Sequence, residues 1–405
     1  MHPDALLDLA TELLRQVLRL DQPADGVVSA FFRKHKALGG RERHALAETV
    51  YTVLRQRLLL QHLAQSGSGA LERRLAILAW QGSPTFLRAA LGPREQEWLV
   101  QVAAIDRHAL PEKLRHNLPD WLAAALREQL PEAEFWPLVA ALSEPAPLDL
   151  RVNTLKARRE DVQRALAEAG IDAAPTPFSP MGLRVQGKPA LNRQAVFTTG
   201  AVEVQDEGSQ LLGLLLSAKR GEMVVDFCAG AGGKTLALGA AMRNTGRLYA
   251  FDVSGARLAA LKPRLARSGL SNVYPAQIAH ERDDRVRRLS GKIDRVLVDA
   301  PCSGLGTLRR NPDLKWRQSP QAVAELQVKQ RAILAAAARL LKPGGRLVYA
   351  TCSPLVAENE AVVQAFEAEH ERDFVAVPAA DALAAAHVDA AAELVQGPWL
   401  RLWPH

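Results

Sequence analysis

Cysteine and long apolar runs are scarce in this sequence of 405 residues. Three cysteines cannot form a disulfide framework, so we expect a reducing, intracellular environment. No window of about 18 uncharged apolar residues occurs, which excludes a membrane-spanning helix, and the early acid Asp4 is unlike a signal peptide. These absences predict a soluble, cytoplasmic protein with no membrane partner.

Aromatic residues are also few, at 5% of the chain, which argues against an extended surface for stacking bases. The remaining composition, with 48% hydrophobic and 23% charged residues, is that of a globular protein and excludes global disorder. At roughly 100–200 residues per domain, the chain has room for two or three domains.

Acidic residues number 44 against 51 basic ones, so the chain carries a net charge of +7. An arginine-rich solvated surface is one explanation, and a polyanionic partner such as nucleic acid is the other. Residues 257–346 alone hold 19 basic and 7 acidic residues, which favours phosphate contacts and salt-sensitive binding. Trp316 is a candidate RNA-facing aromatic, with core packing as the alternative. The candidate phosphate contacts include Arg282, Arg285, Arg287, Arg288, Arg309, Arg310, Lys315 and Arg317.

Three segments of the chain differ in their residue pattern. Residues 1–140, including one run over 41–64, show only helical spacing of apolar residues and predict an all-helical accessory domain. Residues 141–208 combine short strands with an amphipathic helix, which predicts a small α+β linker subdomain. Over residues 209–405, strands alternate with helices and predict an α/β domain, with a parallel sheet covered by helices on both faces.

Ligands of such sheets bind beyond the carboxyl ends of the strands, where three motifs stand in this sequence. The first is a glycine-rich loop that runs from Asp226 to Thr235. A P-loop needs glycine where Cys228 stands, and a dinucleotide fingerprint needs a third glycine where Thr235 stands. The remaining interpretation is an S-adenosylmethionine loop, with Asp252 at the next strand end bonded to ribose hydroxyls. A glycine-rich turn without a ligand is the alternative.

The other two motifs each place a cysteine just after a strand. Cys302 follows the predicted strand 293–298, and Cys352 follows 346–350. Strands joined by one helix are usually neighbours, so both thiols are expected to flank one pocket. Inert packing is the usual fate of a single buried cysteine. The wide cysteine spacing argues against a zinc site, and the reducing environment argues against a disulfide, so we expect no metal.

Together these motifs resemble the Sun-type RNA cytosine-C5 methyltransferases, and most closely the bacterial branch that acts on small-subunit ribosomal RNA. The resemblance implies a NusB-like RNA-binding domain at 1–140, the linker subdomain at 141–208 and a Rossmann-like class I methyltransferase domain at 209–405. Paired Pro-Cys-Ser and Thr-Cys-Ser motifs in this order are highly specific. Matching segments are Cys228–Thr235, Asp299–Gly304, Arg309–Trp316, Lys342–Gly345, Tyr349–Ser353 and Glu358–Glu360, then Leu150–Thr154 and Val204–Ser209, and more loosely Ala45–Arg57.

The resemblance also implies a role for each site residue. Cys352 matches the nucleophile that adds to C6 of cytosine, and Cys302 matches the cysteine that assists loss of the C5 proton and release of the RNA. Asp299 is implied to lie beside both the target cytosine and the cofactor. Lys234 is implied to help organise the catalytic pocket. The implied cofactor is S-adenosylmethionine, and the implied partner of a monomeric enzyme is ribosomal RNA. The implied cofactor-binding residues are Cys228, Ala229, Gly230, Ala231, Gly232, Gly233, Lys234, Asp252, Arg257 and Asp299.

Three departures from the family pattern occur. The cofactor loop has Gly230-Ala231 where the family has Ala-Pro, Ala279 stands where the family has an acid facing the adenine, and Trp399–Trp403 lacks the usual Gly-Phe-Phe-type strand. The acid missing at Ala279 and the basic surface leave a second hypothesis open, a methyltransferase fold that binds RNA or assists ribosome assembly without turnover. Methylation of DNA cytosine is a weaker third, because DNA enzymes place the nucleophile in the Pro-Cys motif.

Overall fold

A computed structural model describes residues 2–405, and its first 143 residues contain only helices and the turns between them. Leucines and valines at helical spacing pack into one apolar core that joins most of these helices. The predicted single run over 41–64 is two helices, because Gln56 leaves the helical conformation at φ −116° and ψ 30°. The α-helices are α1 Pro3–Val17, α2 Ala24–Lys34, α3 Gly40–Arg55, α4 Arg57–Ala64, α5 Leu71–Leu78, α6 Pro84–Ala90, α7 Pro93–Ala103, α8 Glu112–His116, α9 Asp120–Gln129 and α10 Glu132–Ser143.

The linker segment forms an antiparallel sheet of four strands in the order β2-β3-β1-β4. Its apolar residues form a separate core with the adjoining helix. The short strand β2 was not predicted, because proline and alanine give it no alternating pattern. The elements are β1 Leu148–Val152, α11 Arg159–Glu168, β2 Ala173–Pro175, β3 Gly182–Val185, α12 Ala195–Thr198 and β4 Val202–Val204.

A five-stranded parallel sheet in the order β7-β6-β5-β8-β9 forms the centre of the remaining chain, as the alternating pattern predicted. The last residues add a short antiparallel hairpin. The elements are α13 Glu207–Leu216, β5 Met223–Asp226, α14 Gly233–Ala241, β6 Arg247–Asp252, α15 Gly255–Ser268, β7 Val273–Gln277, α16 Asp284–Arg287, β8 Ile293–Asp299, α17 Leu314–Arg317, α18 Pro320–Ala338, β9 Leu341–Ala350, α19 Glu360–Glu369, α20 Ala379–Ala385, β10 Val395–Gln396 and β11 Trp399–Leu400.

Both faces of the parallel sheet are covered by helices. Alternate residues of β5 point to opposite sides, so that Val225 packs in the core that contains Ile333 of α18. Val224 packs on the other side, in the core that contains Leu261 of α15. The chain runs from β5 through β6 to β7 and then crosses to β8, which makes the β5–β8 boundary a topological switch point where ligands bind.

Residues 309–317, which we call the docking segment, attach the helical part to the sheet domain. Lys315 Nζ donates to Arg55 O at 2.8 Å and is buried, and Trp316 Nε1 donates to Leu54 O at 2.7 Å. Burial lowers the pKa of Lys315 to about 7. The predictions that Lys315 contacts phosphate and that Trp316 faces RNA are therefore wrong, since both side chains are engaged at an internal interface.

Other predicted phosphate contacts also serve this interface. Arg309 Nη2 donates to Pro145 O, and Arg310 Nη2 donates to Pro147 O, both at 2.7 Å. Arg310 also pairs with Asp206. Arg317 pairs with Asp313 at 3.3 Å. These four contacts give the three arginines a structural role, while Arg309 and Arg310 also line the open cleft. Their contact with phosphate stays a prediction. The arginines that remain exposed after β7 are Arg282, Arg285, Arg287 and Arg288.

Within residues 2–405, no helix combines the length and the apolar character that crossing a bilayer requires.

The packing of Trp316 can be tested by unfolding. We expect Trp316→Ala to lower the free energy of unfolding by about 3 kcal/mol, because a packed indole leaves a cavity. Trp316→Phe keeps most of the packing but leaves the Leu54 carbonyl without its donor, so a loss of about 1 kcal/mol is expected. Urea titration of both variants measures this. A negligible loss in Trp316→Ala would instead mean that the ring is free to face RNA.

Candidate active site

The glycine-rich loop joins β5 to α14 at the switch point of the sheet. Gly230 and Gly232 have φ of +57° and +82°, a backbone conformation that favours glycine. A side chain at Gly232 would also overlap Leu261 of the neighbouring helix. Asp252 at the end of β6 accepts from Gly230 N at 2.8 Å and from Ser254 N at 2.7 Å. The carboxylate therefore orders the loop and stands beside it.

The remaining residues of the predicted cofactor set surround the same loop. Cys228 is half-buried and packs against the core on one face of the sheet, and burial raises the pKa of its thiol. Ala229 N donates to Phe251 O at 2.8 Å. Ala231 O accepts from Arg264 Nη1 at 2.7 Å. Arg257 is exposed, and its Nη1 lies 3.9 Å from the position that a Cβ of Gly230 would occupy.

Asp226, which sequence reasoning left out of the site, ends β5 beneath the loop. Its Oδ2 accepts from Thr235 Oγ1 at 2.7 Å, whereas its buried Oδ1 has no hydrogen-bond partner among residues 2–405. Burial raises the pKa of Asp226 to about 7. A buried acceptor without a donor and an open glycine backbone fit a loop built to hold a polar ligand.

The linker sheet supports this loop from outside. Arg264, whose Nη1 holds Ala231 O, pairs with the buried carboxylate of Glu203 in β4 at 3.1 Å. Arg151 of β1 is fully buried and donates to Gln205 at 2.6 Å. Burial lowers the pKa of Arg151 to about 10. Through Glu203 and Arg264, the linker sheet thus holds the backbone carbonyl of Ala231 in the cofactor loop.

The loop after β7 contains the second departure from the family pattern. Ala279 presents no acid, and the loop contains Glu281 and Asp283. The two oxygens of Asp283 accept from Ala279 N and from Arg285 N, both at 2.9 Å. Glu281 pairs with Arg282 at 3.6 Å. Both carboxylates of the loop thus have partners within it.

Cys302 and Cys352 lie side by side at the ends of β8 and β9. The two strands are parallel neighbours, and Asp299 is in register with Ala350. The Sγ atoms are 3.2 Å apart, a hydrogen-bond distance between two free thiols rather than a disulfide. Cys352 is exposed, whereas Cys302 is half-buried. The structure therefore brings the two cysteines to one place, with one of them accessible.

The contact between the two thiols shifts their pKa values in opposite directions. A hydrogen bond from Cys302 lowers the pKa of Cys352, against the opposing effect of burial, and the nearby Lys234 lowers it further. The same hydrogen bond, followed by burial, raises the pKa of Cys302. These directions make Cys352 the more acidic thiol of the pair and Cys302 its hydrogen-bond donor. A lowered pKa favours the thiolate, which is the nucleophilic form of cysteine.

Lys234 and Asp299 form an ion pair beside the thiols. Lys234 Nζ lies 2.7 Å from Asp299 Oδ2 and 3.1 Å from Ser209 Oγ. Lys234 stands in the first turn of α14 and Asp299 ends β8, so the pair joins the cofactor loop to the cysteine loops. Ser209 ends the matching segment Val204–Ser209 but was not predicted as a site residue, because its partner Lys234 is distant along the chain.

A buried glutamate fixes the Cys302 loop. Glu358 is fully buried and accepts from Ser303 N at 2.8 Å, from Ser303 Oγ at 2.5 Å and from Gln330 Nε2 at 3.1 Å. Its backbone oxygen accepts from Tyr349 at 2.7 Å. Only the resemblance marked the segment of Glu358, because its partners are distant along the chain.

The Cys352 loop is held in a similar way. Asn359 Nδ2 donates to Ser353 O at 2.8 Å. Gly306 N donates to Cys352 O at 2.7 Å, and a Cβ at Gly306 would lie 2.5 Å from that oxygen. A glycine is therefore required where the two loops meet.

An open cleft of about 2150 Å³ gives access to these groups. Its lining includes Cys352, Asp299, Lys234, Ser209 and Asp206. Among residues 2–405 there is no group of three or more histidine, cysteine or acidic side chains that could hold a metal ion. The cleft thus offers a thiolate, an ion pair and a hydroxyl to a substrate.

Two family profiles match the chain. One, described as 16S rRNA methyltransferase RsmB/F, matches residues 213–405. The other, described as a ferredoxin-like domain of RsmF/B-like methyltransferases, matches residues 118–192. Both matches lie outside the first 117 residues.

Known proteins of similar sequence and structure agree with these profiles. A protein of Synechocystis named probable ribosomal RNA small subunit methyltransferase B is 37% identical over 270 residues, which cover 66% of this chain and 60% of that protein. The chain thus spans about three fifths of its relative. The crystal structure of PH0851 is 26% identical and superposes with a TM-score of 0.78 over 100% of this chain and 96% of that one. A methyltransferase homolog from Pyrococcus horikoshii is 31% identical, with a TM-score of 0.57 over 65% of this chain and 83% of that one.

Alkylation tests the assigned acidities of the thiols. Because the pKa of Cys352 is lowered, its reactive thiolate is present at a lower pH than that of an ordinary cysteine, and iodoacetamide should modify Cys352 first. Cys302→Ala removes the donor, raises the pKa of Cys352 and moves its alkylation profile to higher pH. Mass spectrometry of peptides over a pH series measures this.

Cys228→Ala is the matched control and should leave the alkylation profile of Cys352 unchanged. A profile that Cys302→Ala also leaves unchanged would contradict the assignment.

Proposed function

The chain belongs to the RsmB/F family of 16S rRNA methyltransferases, and we propose that it transfers a methyl group from S-adenosylmethionine to C5 of a cytosine in small-subunit ribosomal RNA. The observation that carries this proposal is the pair of thiols 3.2 Å apart, in which the exposed Cys352 has the lowered pKa. We further propose that the protein acts in the cytoplasm as a monomer.

The glycine-rich loop fits the proposed cofactor. Gly230, Gly232 and Gly233 would lie against its amino-acid end, and Asp252 would accept from its ribose hydroxyls. The buried Oδ1 of Asp226, which has no hydrogen-bond partner among residues 2–405, supplies an acceptor beneath the same loop. When bound, S-adenosylmethionine supplies an electrophilic methyl group. The chain has to place the cytosine against that group and make C5 nucleophilic.

Cys352 makes C5 nucleophilic by adding to C6. Its thiolate forms an S–C6 bond, and the electron pair of the C5–C6 double bond shifts toward C5 and the ring carbonyl. That pair would form the new C5–methyl bond as the sulfonium–methyl bond of the bound cofactor breaks, with the electron pair of the broken bond left on the cofactor's sulfur. Asp299, held by Lys234 at 2.7 Å, stands where it can orient the cytosine ring during this step.

Release of the product requires a base at C5. Removal of the C5 proton returns the electron pair to the C5–C6 double bond, and the S–C6 bond breaks to regenerate the Cys352 thiolate. Cys302 begins as the protonated partner, with its pKa raised mainly by Cys352. Once Cys352 has become a neutral thioether, that effect is lost, while burial still raises the pKa of Cys302. Cys302 would have to give its proton to water at this stage, and its thiolate would then accept the C5 proton.

One observation favours a second function, that of an RNA-binding or ribosome-assembly module without turnover. After β7, Ala279 presents no acid, and Asp283 is bonded to the amides of Ala279 and Arg285. Glu281 pairs with Arg282, so neither carboxylate of the loop is free to hold the adenine without giving up a partner. Titration calorimetry separates the two functions. Absence of S-adenosylmethionine binding in a protein that retains tight RNA binding would favour the second.

Two cysteine variants test the proposed chemistry. Cys352→Ala should abolish methyl transfer to small-subunit ribosomal RNA, because no other accessible thiolate can reach C6. Cys302→Ala should form the covalent adduct but fail to release it, which leaves an RNA–protein band on a denaturing gel. Transfer of radiolabelled methyl groups measures the activity of both.

Arg94→Ala is the control, since Arg94 is exposed on α7 and lies outside the cofactor and cysteine loops, and it should keep the wild-type activity. Full activity in Cys352→Ala would rule out the proposed mechanism.

A further inference from the structure

The turn between α2 and α3 is the most basic surface of the helical part. Residues 1–142 hold 17 basic and 16 acidic residues in total, yet five of the basic residues and only one of the acidic ones fall within residues 33–44. We call this segment the basic turn. Its basic residues are Arg33, Lys34, Lys36 and Arg41, which are exposed, and Arg43, which is half-buried.

The charge of the basic turn is not balanced by its surroundings. Among the residues that the structure describes, no aspartate or glutamate pairs with its five cations, although ion pairs are frequent elsewhere in the chain. The one acid of the turn, Glu42, accepts from Gly39 N at 2.6 Å to cap α3. Uncompensated cations gathered on one turn provide the attraction that phosphate groups require.

The basic turn also has a fixed shape. Arg43 Nε donates to Leu38 O at 3.0 Å, and its guanidinium lies over the ring of Phe32 at 5.9 Å. An open pocket of about 510 Å³ is lined by Ser29, Phe32, Arg33, Lys36 and Arg43. The turn therefore presents an aromatic ring among cations, a combination that suits an RNA strand.

Helices α2 and α3, which the basic turn connects, contact the docking segment at their other ends. At the start of α2, Ala24 N donates to Asp313 at 3.3 Å, and at the end of α3, Arg55 O accepts from Lys315 at 2.8 Å. The basic turn lies at the other ends of these two helices. At 1.5 Å per residue, it is roughly 15 Å from the Asp313 contact along α2 and roughly 23 Å from the Lys315 contact along α3.

A further ion pair braces α3 against the linker. Glu48 lies midway along α3 and pairs with Lys188 at 2.6 Å. The docking segment begins a few residues after Gly306, whose amide contacts the Cys352 loop. The basic turn is therefore held at a set distance from the cleft.

We propose that the basic turn is a second RNA contact, which binds backbone phosphates of the substrate RNA away from the target cytosine. The inference rests on the proposed function for the identity of the RNA. Neither family profile covers this segment, since their matches begin at residue 118. An RNA must extend at least about 15 Å beyond the docking segment to reach the turn, so long substrates use it and short ones do not.

The salt dependence of RNA binding tests the inference. With transcribed small-subunit ribosomal RNA as the probe, removal of four cations should lower the slope of log affinity against log salt by roughly 3, at about 0.7–0.9 per lost phosphate contact. Binding of a short cytosine-containing oligoribonucleotide should not change. The variant combines Arg33→Ala, Lys34→Ala, Lys36→Ala and Arg41→Ala.

A matched control removes exposed arginines from another face of the same helical part. It should keep the wild-type slope, and both variants should keep the wild-type melting temperature and affinity for S-adenosylmethionine. The control combines Arg88→Ala, Arg94→Ala and Arg107→Ala.

Two outcomes decide the inference. Equal salt slopes in the basic-turn variant and the control would overturn it, and so would an equal loss of affinity for the short oligonucleotide. The readout is binding and does not require methyl transfer. A protein that failed to methylate RNA yet showed the reduced slope would therefore refute the proposed function and leave the second contact standing.

Discussion

The hydrogen bond between Cys302 and Cys352 is the interaction on which the chemistry of this protein depends. Two thiols 3.2 Å apart titrate as a pair, because the proton left on one of them stabilises the thiolate of the other. The pKa of the exposed Cys352 is lowered by this contact, which supports its proposed role as the nucleophile. The fold provides this contact through the adjacency of β8 and β9, whose carboxyl ends are in register at Asp299 and Ala350.

The surrounding structure maintains that contact from several sides. Glu358 and Asn359 hold the loops that follow each cysteine, and Gly306 lets those loops approach each other. The docking segment continues from the Cys302 loop and binds both the helical part and the linker. Much of the positive charge around residue 310 is therefore structural. Exposed arginines remain after β7, where Arg282 and Arg287 pair with neighbouring acids, and the basic turn carries exposed cations without a paired acid among the described residues.

The sequence allowed the α/β architecture and the meeting of the two cysteines to be predicted, because strands that alternate with helices order a parallel sheet. Glu358 could not be found from physical reasoning, since its partners Ser303 and Gln330 are distant along the chain and a lone glutamate shows no pattern. Lys315 was misinterpreted for a related reason. A lysine among arginines favours a phosphate site, and only the three-dimensional structure reveals the carbonyl of Arg55 that it binds.

The assignment of Cys352 as the nucleophile is tested most directly by trapping the covalent adduct. Small-subunit ribosomal RNA transcribed with 5-fluorocytidine carries a C5–F bond that cannot lose a proton, so the methylated adduct cannot break down. After incubation with S-adenosylmethionine, nuclease and protease digestion followed by mass spectrometry locates the linked residue. We predict a methylated 5-fluorocytidine attached to Cys352. Attachment to Cys302, or no attachment in a protein that binds both RNA and S-adenosylmethionine, would contradict the account.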